Sequence, residues 1–235
     1  MSEQPFQSES VENFLKAVYA LQQGDDRVST NTLSDVLNKT APSVTDMAQR
    51  LESAGLVNYQ KYRGVVLTEA GREIALKVIR RHRLIELYLV RELGYQLHEV
   101  HEEAERLEHK VSERFVEAIA NKLGNPAIDP HGDPIPSADG TVVYRRLISL
   151  ADLEQERLGV IAQLKTSDPE MLQHMLDRGF PLQGQVEVVS RDPFRGPVTV
   201  KVNGVERVIG HNVAECILIE TTHEHDQESA DADLG

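Results

Sequence analysis

The spacing of apolar residues changes once along this chain, and that change limits its architecture more than any other feature. Up to about residue 123 apolar side chains recur every three or four positions, as in Val11, Phe14, Leu15, Val18 and Leu21, the period of amphipathic helices. From Tyr144 onward the sequence runs in short β-prone segments, at 146–150, 159–164, 185–190, 198–202, 205–209 and 216–219, interrupted by one helix over 168–177. Residues 124–140 lie between the two halves with four prolines and three glycines, the composition of a linker or an ordered loop. The expected fold class is therefore α+β: helical units first, then a small β-barrel of about 80 residues. With 235 residues, one or two units are expected, and a third if it is small.

Within the helical half, 11–21 reads as a first helix capped by Ser10, and 29–37 as a short second one capped by Ser29. A third begins at Pro42, where a missing N–H costs nothing, and ends before Gly55. Two short helices joined by a tight turn make a helix-turn-helix. Leu56 to Thr68 follows as two β-prone runs around Lys61, Tyr62, Arg63 and Gly64, a hairpin with a basic, aromatic tip. Together these elements describe a winged helix-turn-helix. Thr40, Pro42, Ser43 and Asp46 would stand at the exposed start of its second helix, where hydroxyls reach phosphates or bases and a carboxylate can accept from cytosine. Lys61 and Arg63 would meet the DNA backbone from the wing. A generic helical hairpin within a core is the other reading of the same pattern.

A net charge of −13 argues at first against a polyanionic partner. The acidity is unevenly placed, however. Residues 1–83 carry eleven Lys and Arg against ten Asp and Glu, whereas 84–140 carry five against twelve. A neutral or basic surface thus remains available where the helix-turn-helix lies. No apolar run approaches the ~18 residues needed to span a bilayer, and the start lacks the pattern of a signal peptide, so the expected location is the cytoplasm, with no membrane partner. One cysteine, Cys216, excludes an intramolecular disulfide and a multi-cysteine zinc site. Any metal must be held by His and carboxylates.

Thr68 opens a long helix to about Leu93, and a second long helix is expected from about His98 to Leu123. On the second, Glu105, Glu108 and His109 fall with His101 inside one arc of about 100°, beside an apolar stripe of Val100, Ala104, Leu107 and Val111. His82 and Glu86, four apart, share a face of the first. Imidazole and carboxylate together suit Mn, Fe, Co, Ni or Zn, although a solvated charged face would give the same spacing. His98 to His101 reads HExH, one residue short of the zincin spacing, and no phosphate loop or serine elbow is present.

Arg81-His-Arg-Leu, the run from His101 to His109 and the run from Asp129 to Pro136 together resemble the diphtheria toxin repressor family, most closely its manganese-responsive branch. The resemblance extends from about Val11 to Ile219. It implies a winged-helix DNA-binding domain over 1–72, a helical dimerisation and metal-binding domain over 73–140, and an SH3-like domain over 141–222; beyond the resemblance, the polar, acidic composition of 223–235 reads as a disordered tail. The resemblance also implies a homodimer that represses at operator DNA when loaded with Mn²⁺ or Fe²⁺. Glu105, Glu108 and His109 match the family's main metal positions, while His82, Glu86 and His101 match ancillary ones. Asp168 lies near the position from which the C-terminal domain supplies a further ligand, with Glu170 an alternative. Iron-responsive members carry Cys where this chain has Glu105, and carboxylate oxygen is harder than thiolate and favours Mn²⁺.

The chain departs from the family pattern at two positions. Asn13 stands where the manganese branch often has Asp, so a first-helix ligand here would be a neutral amide oxygen. Lys16 stands where some manganese sensors have a bridging Glu; a charged Lys has no lone pair to give, so a two-metal cluster bridged from the first helix is not expected. The expected function is a metal-dependent, Mn²⁺-responsive repressor rather than an enzyme. Three alternatives remain: an Fe²⁺-responsive regulator of the same family, a divalent-metal hydrolase built on the His/Glu helix, and a winged-helix regulator that answers an organic ligand.

Overall fold

The computed structural model describes residues 8–166 and 168–221; the acidic tail expected over 223–235 lies outside the described residues. The chain divides into two compact units. The first holds residues up to Leu93 with Glu102–Ala127 and Pro134–Val142, and the second holds Gly94–His101, Ile128–Asp133 and residues from Val143.

In the first unit, α1 (Glu9–Leu21), α2 (Thr30–Leu37) and α3 (Ala41–Ser53) precede a hairpin of β1 (Val57–Gln60) and β2 (Gly64–Leu67). Phe14, Leu15, Val18, Leu33, Val44 and Leu51 close one apolar core with Val57 and Val65. The Ser29 and Thr40 hydroxyls cap α2 and α3 by accepting from the N–H groups of Thr32 and Ser43. The cap of α1 is Ser8, not Ser10, and its side chain accepts no capping hydrogen bond; the helix simply begins a half-turn earlier than its first apolar residue. The hairpin is antiparallel, with Gln60 opposite Gly64, and Val28 adds a third edge by exchanging two 2.8 Å backbone hydrogen bonds with Val65. Gly64 is required there. Its φ is +104°, and a Cβ would stand 2.2 Å from the Val28 carbonyl oxygen.

Helix α4 (Glu69–Leu93) runs as anticipated and packs along α1. The single helix expected over 98–123 does not form. The chain instead makes α5 (Val100–Glu108), a turn, and α6 (Glu113–Lys122). Two contacts explain the break: Ser112 caps α6 by accepting from the Phe115 N–H, and Arg81 of α4 donates to the Glu108 carbonyl at 3.1 Å, satisfying an oxygen at the end of α5.

The Pro/Gly segment is an ordered loop. In the first unit, Arg80 donates to the Pro136 carbonyl at 2.8 Å. In the second, one Asp129 carboxylate oxygen accepts from the N–H groups of His131 and Asp133, and Gly132, at φ +94°, lies against the Ala162 carbonyl where a Cβ would come within 2.1 Å.

The second unit also carries β3 (Ile148–Ser149), β4 (Leu158–Leu164), β5 (Gln185–Arg191), β6 (Val198–Val202), β7 (Val205–Ile209) and β8 (Ile217–Thr221), ordered β3-β8-β4-β5-β6-β7 and antiparallel throughout. Bulges in β4 near Ala162 and in β5 near Val189 bend the sheet around a core of Leu150, Leu153, Ile161, Met175, Phe180 and Ile217. Helix α7 (Pro169–Asp177) crosses between β4 and β5 in sequence, and a short α8 (His211–Ala214), not anticipated, precedes β8.

Candidate metal centre

Three helices of the first unit bring their polar faces together. Helix α1 buries Val11, Phe14, Leu15 and Val18 on one side, which leaves Glu12, Asn13 and Lys16 on the flank turned toward α4 and α5. From α4 come Arg81, His82 and Glu86. Helix α5 brings Glu105 and Glu108, and His109 follows in the turn that ends it.

Glu108 is the hub of this cluster. It is fully buried, with one oxygen 2.6 Å from His82 Nδ1 and the other 2.7 Å from Lys16 Nζ and 3.1 Å from His109 Nε2. His82 turns its second nitrogen to Glu86 at 2.9 Å. His109 is held on its other side by Glu12, 2.6 Å from Nδ1, and its Nε2 also meets the Asn13 amide oxygen at 2.8 Å. Arg81 pairs with Glu12 at 3.3 Å, and Lys16 reaches Glu105 at 3.2 Å.

The electrostatics follow from this pairing. Burial disfavours the charged ring of His82, yet its hydrogen bonds to Glu108 and Glu86 outweigh that and raise its pKa to about 9. Burial likewise opposes charge on His109, and the hydrogen bonds to Glu108 and Glu12 raise it to about 9. For Glu108 burial acts to raise the pKa, but hydrogen bonds from His109 and His82 and the charge of Lys16 hold it well below the ordinary carboxylate range. Four carboxylates, Glu12, Glu86, Glu105 and Glu108, thus face four cationic groups, Lys16, Arg81, His82 and His109. A divalent cation that took the place of the Lys16 ammonium and one imidazolium proton would preserve that balance.

The donor chemistry fits such an ion. Carboxylate oxygens, an amide oxygen and imidazole nitrogen are hard to borderline ligands, and a fully buried carboxylate carries charge where water cannot screen it. Both nitrogens of His109 and both oxygens of Glu108 have internal partners, so a metal must displace protons and ammonium rather than enter an open cage.

Among the residues expected at a metal site, Asn13, His82, Glu86, Glu105, Glu108 and His109 therefore meet within one unit. His101 and Asp168 belong to the second unit, both exposed. Asp168 caps α7 there, accepting from the N–H groups of Glu170 at 2.9 Å and Met171 at 3.3 Å. Glu12 was missed by sequence reasoning. It lies about 60° from Leu15 around α1, at the border of the apolar face, and an acid bordering a buried stripe is the signal that could have exposed it.

The groups expected to meet DNA stand elsewhere in the same unit. Pro42, Ser43 and Asp46 are exposed in the first two turns of α3, behind the Thr40 cap. Lys61 and Arg63 are exposed at the hairpin tip, on either side of Tyr62, which is 92% exposed with the Lys61 ammonium 5.0 Å from its ring.

Residues 7–65 match the family model described as the N-terminal DNA-binding domain of iron-dependent repressors, residues 68–137 that for their metal-binding and dimerisation domain, and residues 148–221 that of the FeoA domain, an SH3-like β fold. The chain is 27% identical to the diphtheria toxin repressor of Corynebacterium diphtheriae over 90% of this chain and 97% of that one. It is 29% identical to the iron-dependent repressor IdeR of Mycobacterium tuberculosis with the same coverage of both chains. A solved manganese-dependent transcriptional repressor in complex with manganese superposes with a TM-score of 0.84 at 37% identity, over 90% of this chain and 99% of that one.

Proposed function

The chain belongs to the iron-dependent repressor family, that of the diphtheria toxin repressor, and is a metal-dependent transcriptional repressor, not an enzyme; from that premise we propose that it answers to Mn²⁺ and represses as a homodimer on operator DNA. The observation that carries the choice of metal is Glu105. It puts a carboxylate on α5 one turn before the buried Glu108, where a thiolate would favour softer ions, and the 37% identical neighbour is itself manganese-dependent.

The proposed regulatory ligands are Glu105, Glu108 and His109, with Glu12 and Asn13 supplying the contact from α1. His82 and Glu86 fix the orientation of Glu108 from α4. When bound, the ion supplies two positive charges that hard oxygen and nitrogen donors from separate helices can share. The chain's own part is to join α1, which is built into the winged-helix core, to α5. Ser43 and its neighbours would read base edges and Lys61 and Arg63 would hold phosphates, within an organisation of DNA-binding, dimerisation and SH3-like modules over 1–72, 73–140 and 141–222. No helix of the described residues is long and apolar enough to cross a membrane; the proposed location, the cytoplasm, follows from the proposed role at operator DNA.

The test selects a binding duplex from a random pool with Mn²⁺, then measures its affinity anaerobically with Mn²⁺ and Fe²⁺ for the natural protein and Glu105→Cys. Mn²⁺ should activate the natural protein at lower concentration than the variant, and the variant should move toward Fe²⁺. An unchanged ratio of Mn²⁺ to Fe²⁺ activation would remove Glu105 as the source of the preference, and activation without any metal would remove the reading altogether.

A further inference from the structure

Of the four cations in the metal centre, three have evident further duties. His82 and His109 are themselves nitrogen donors, and Arg81 holds the Glu108 backbone carbonyl at the end of α5. Lys16 is different. Its ammonium lies 2.7 Å from Glu108 and 3.2 Å from Glu105, and among the described residues it makes no other hydrogen bond or ion pair. It sits on α1 one turn after Glu12, with its side chain 20% exposed, so a flexible stem can withdraw to water without unmaking the helix that carries it.

We propose that Lys16 is a tethered counter-cation that competes with the regulatory metal for the Glu105 and Glu108 carboxylates and thereby sets the metal concentration at which the protein loads. This rests on the reading that those carboxylates hold the metal. The competition follows from position and sign. Nζ touches Oε1 of both residues, so an ion sharing those two oxygens must take the place of an ammonium already there. A fully buried Glu108 would otherwise lack part of its compensation in the metal-free protein, and Lys16 supplies it. Both effects stabilise the metal-free state relative to the loaded one, and both weaken metal binding.

The arrangement differs from an ordinary structural ion pair in its thermodynamic consequence. A pair that merely supports the fold stabilises metal-free and metal-loaded protein alike. A competitor stabilises only the metal-free form, because the loaded form has expelled it. Hydrogen bonds to charged groups contribute about 1.5–3 kcal/mol, which converts to a change in metal affinity of about ten- to a hundredfold.

The experiment titrates Mn²⁺ calorimetrically into the full chain and into Lys16→Met, Lys16→Arg and Glu108→Gln, and follows thermal unfolding of each with and without saturating Mn²⁺. Methionine keeps the length and apolar stem without the charge, and Arg keeps the charge. The expected result is that Lys16→Met binds Mn²⁺ about tenfold tighter or better, Lys16→Arg stays within a few-fold of the natural chain, and the unfolding temperature of Lys16→Met falls without metal but rises further on loading. Unchanged or weaker Mn²⁺ binding by Lys16→Met, in a protein whose binding is lost in Glu108→Gln, overturns the inference while leaving the site intact. An equal fall in unfolding temperature with and without Mn²⁺ overturns it as well, since that is the mark of a structural pair. Mn²⁺ binding that Glu108→Gln does not weaken overturns the site reading and this inference together.

Discussion

At the scale of single residues, Glu108 is ionised in a place that water does not reach because His82, His109 and Lys16 surround it. The same pairing fixes how the metal-free protein responds to pH. Facing the two imidazoles are Glu12, Asn13 and Lys16 from α1, Arg81 and Glu86 from α4, and Glu105 and Glu108 from α5. His82 and His109 have folded-state pKa values raised to about 9, so their contribution to stability is complete below the ordinary value near 6.5 and is lost as pH rises through about 9. Glu108 is shifted the other way, so its contribution is present above about 4.5 and disappears only in strong acid. The metal-free protein should therefore be most stable between about pH 4.5 and 6.5 with respect to this cluster, and should lose stability toward pH 9. Urea unfolding of chelator-treated protein across that range, beside His82→Gln and His109→Gln, checks it; an alkaline decline equally steep in both variants would place its source elsewhere. Part of this centre was legible in the sequence. Glu105, Glu108 and His109 share a helix face by spacing alone, but Glu12 acquires its meaning only once α1 lies beside α5, since a local pattern cannot say which neighbour a border residue will meet.

At the scale of elements, the winged helix was readable because each piece carries its own boundary signal: Ser29 as a cap, Pro42 in the first turn of α3, Gly55 after it, and Gly64 at the hairpin. The division between α5 and α6 was not read, because apolar residues keep helical spacing on both sides of the break. Its cause is the Ser112 cap together with a tertiary contact, the Arg81 guanidinium on the Glu108 carbonyl, which no local pattern contains. The break has a consequence for the site: it ends α5 at Glu108 and leaves His109 in a turn, where its ring meets both Glu12 and Glu108. In the wing, Arg27 braces the hairpin by donating to the Asn58 carbonyl at 2.7 Å, and Lys61 and Arg63, the proposed phosphate contacts, stand exposed at the tip. Arg63→Ala should weaken binding to all duplexes alike and reduce the slope of log affinity against log salt by about 1. Ser43→Ala, at the start of α3, should instead change the ranking of duplexes with little effect on that slope. Competition binding at several salt concentrations separates the two, and equal losses on every duplex for both variants would contradict the division of labour between helix and wing.

At the scale of the whole molecule, the proposed coupling of metal and DNA needs an element that joins the two sites, and α1 is placed to be that element. Its apolar face, Phe14, Leu15 and Val18, is part of the core that holds α2, α3 and the wing, while Glu12 and Asn13 on its other flank reach His109. The overall charge of −13 gives the protein no general attraction to DNA, so affinity must come from presenting the near-neutral N-terminal surface in a fixed orientation, and that orientation is what a clamp on α1 can govern. Coupling of this kind is reciprocal: the factor by which Mn²⁺ raises DNA affinity is the factor by which DNA raises Mn²⁺ affinity, ordinarily about 5- to 150-fold. Binding and coupling should nevertheless be separable by residue. Glu105, Glu108 and His109 all belong to α5 and its terminal turn, so an ion held by them alone would bind without engaging the DNA-binding core. Asn13→Ala removes an α1 donor and leaves those three in place. It should keep Mn²⁺ binding, weakened only a few-fold, while cutting the Mn²⁺-dependent gain in DNA affinity by most of its value. Measuring both legs of the cycle, metal with and without DNA and DNA with and without metal, for the natural chain and Asn13→Ala decides the matter. If the variant binds Mn²⁺ more weakly yet retains the full coupling factor, α1 does not transmit the signal through Asn13, and the link between metal and operator must run through Glu12 or through α4.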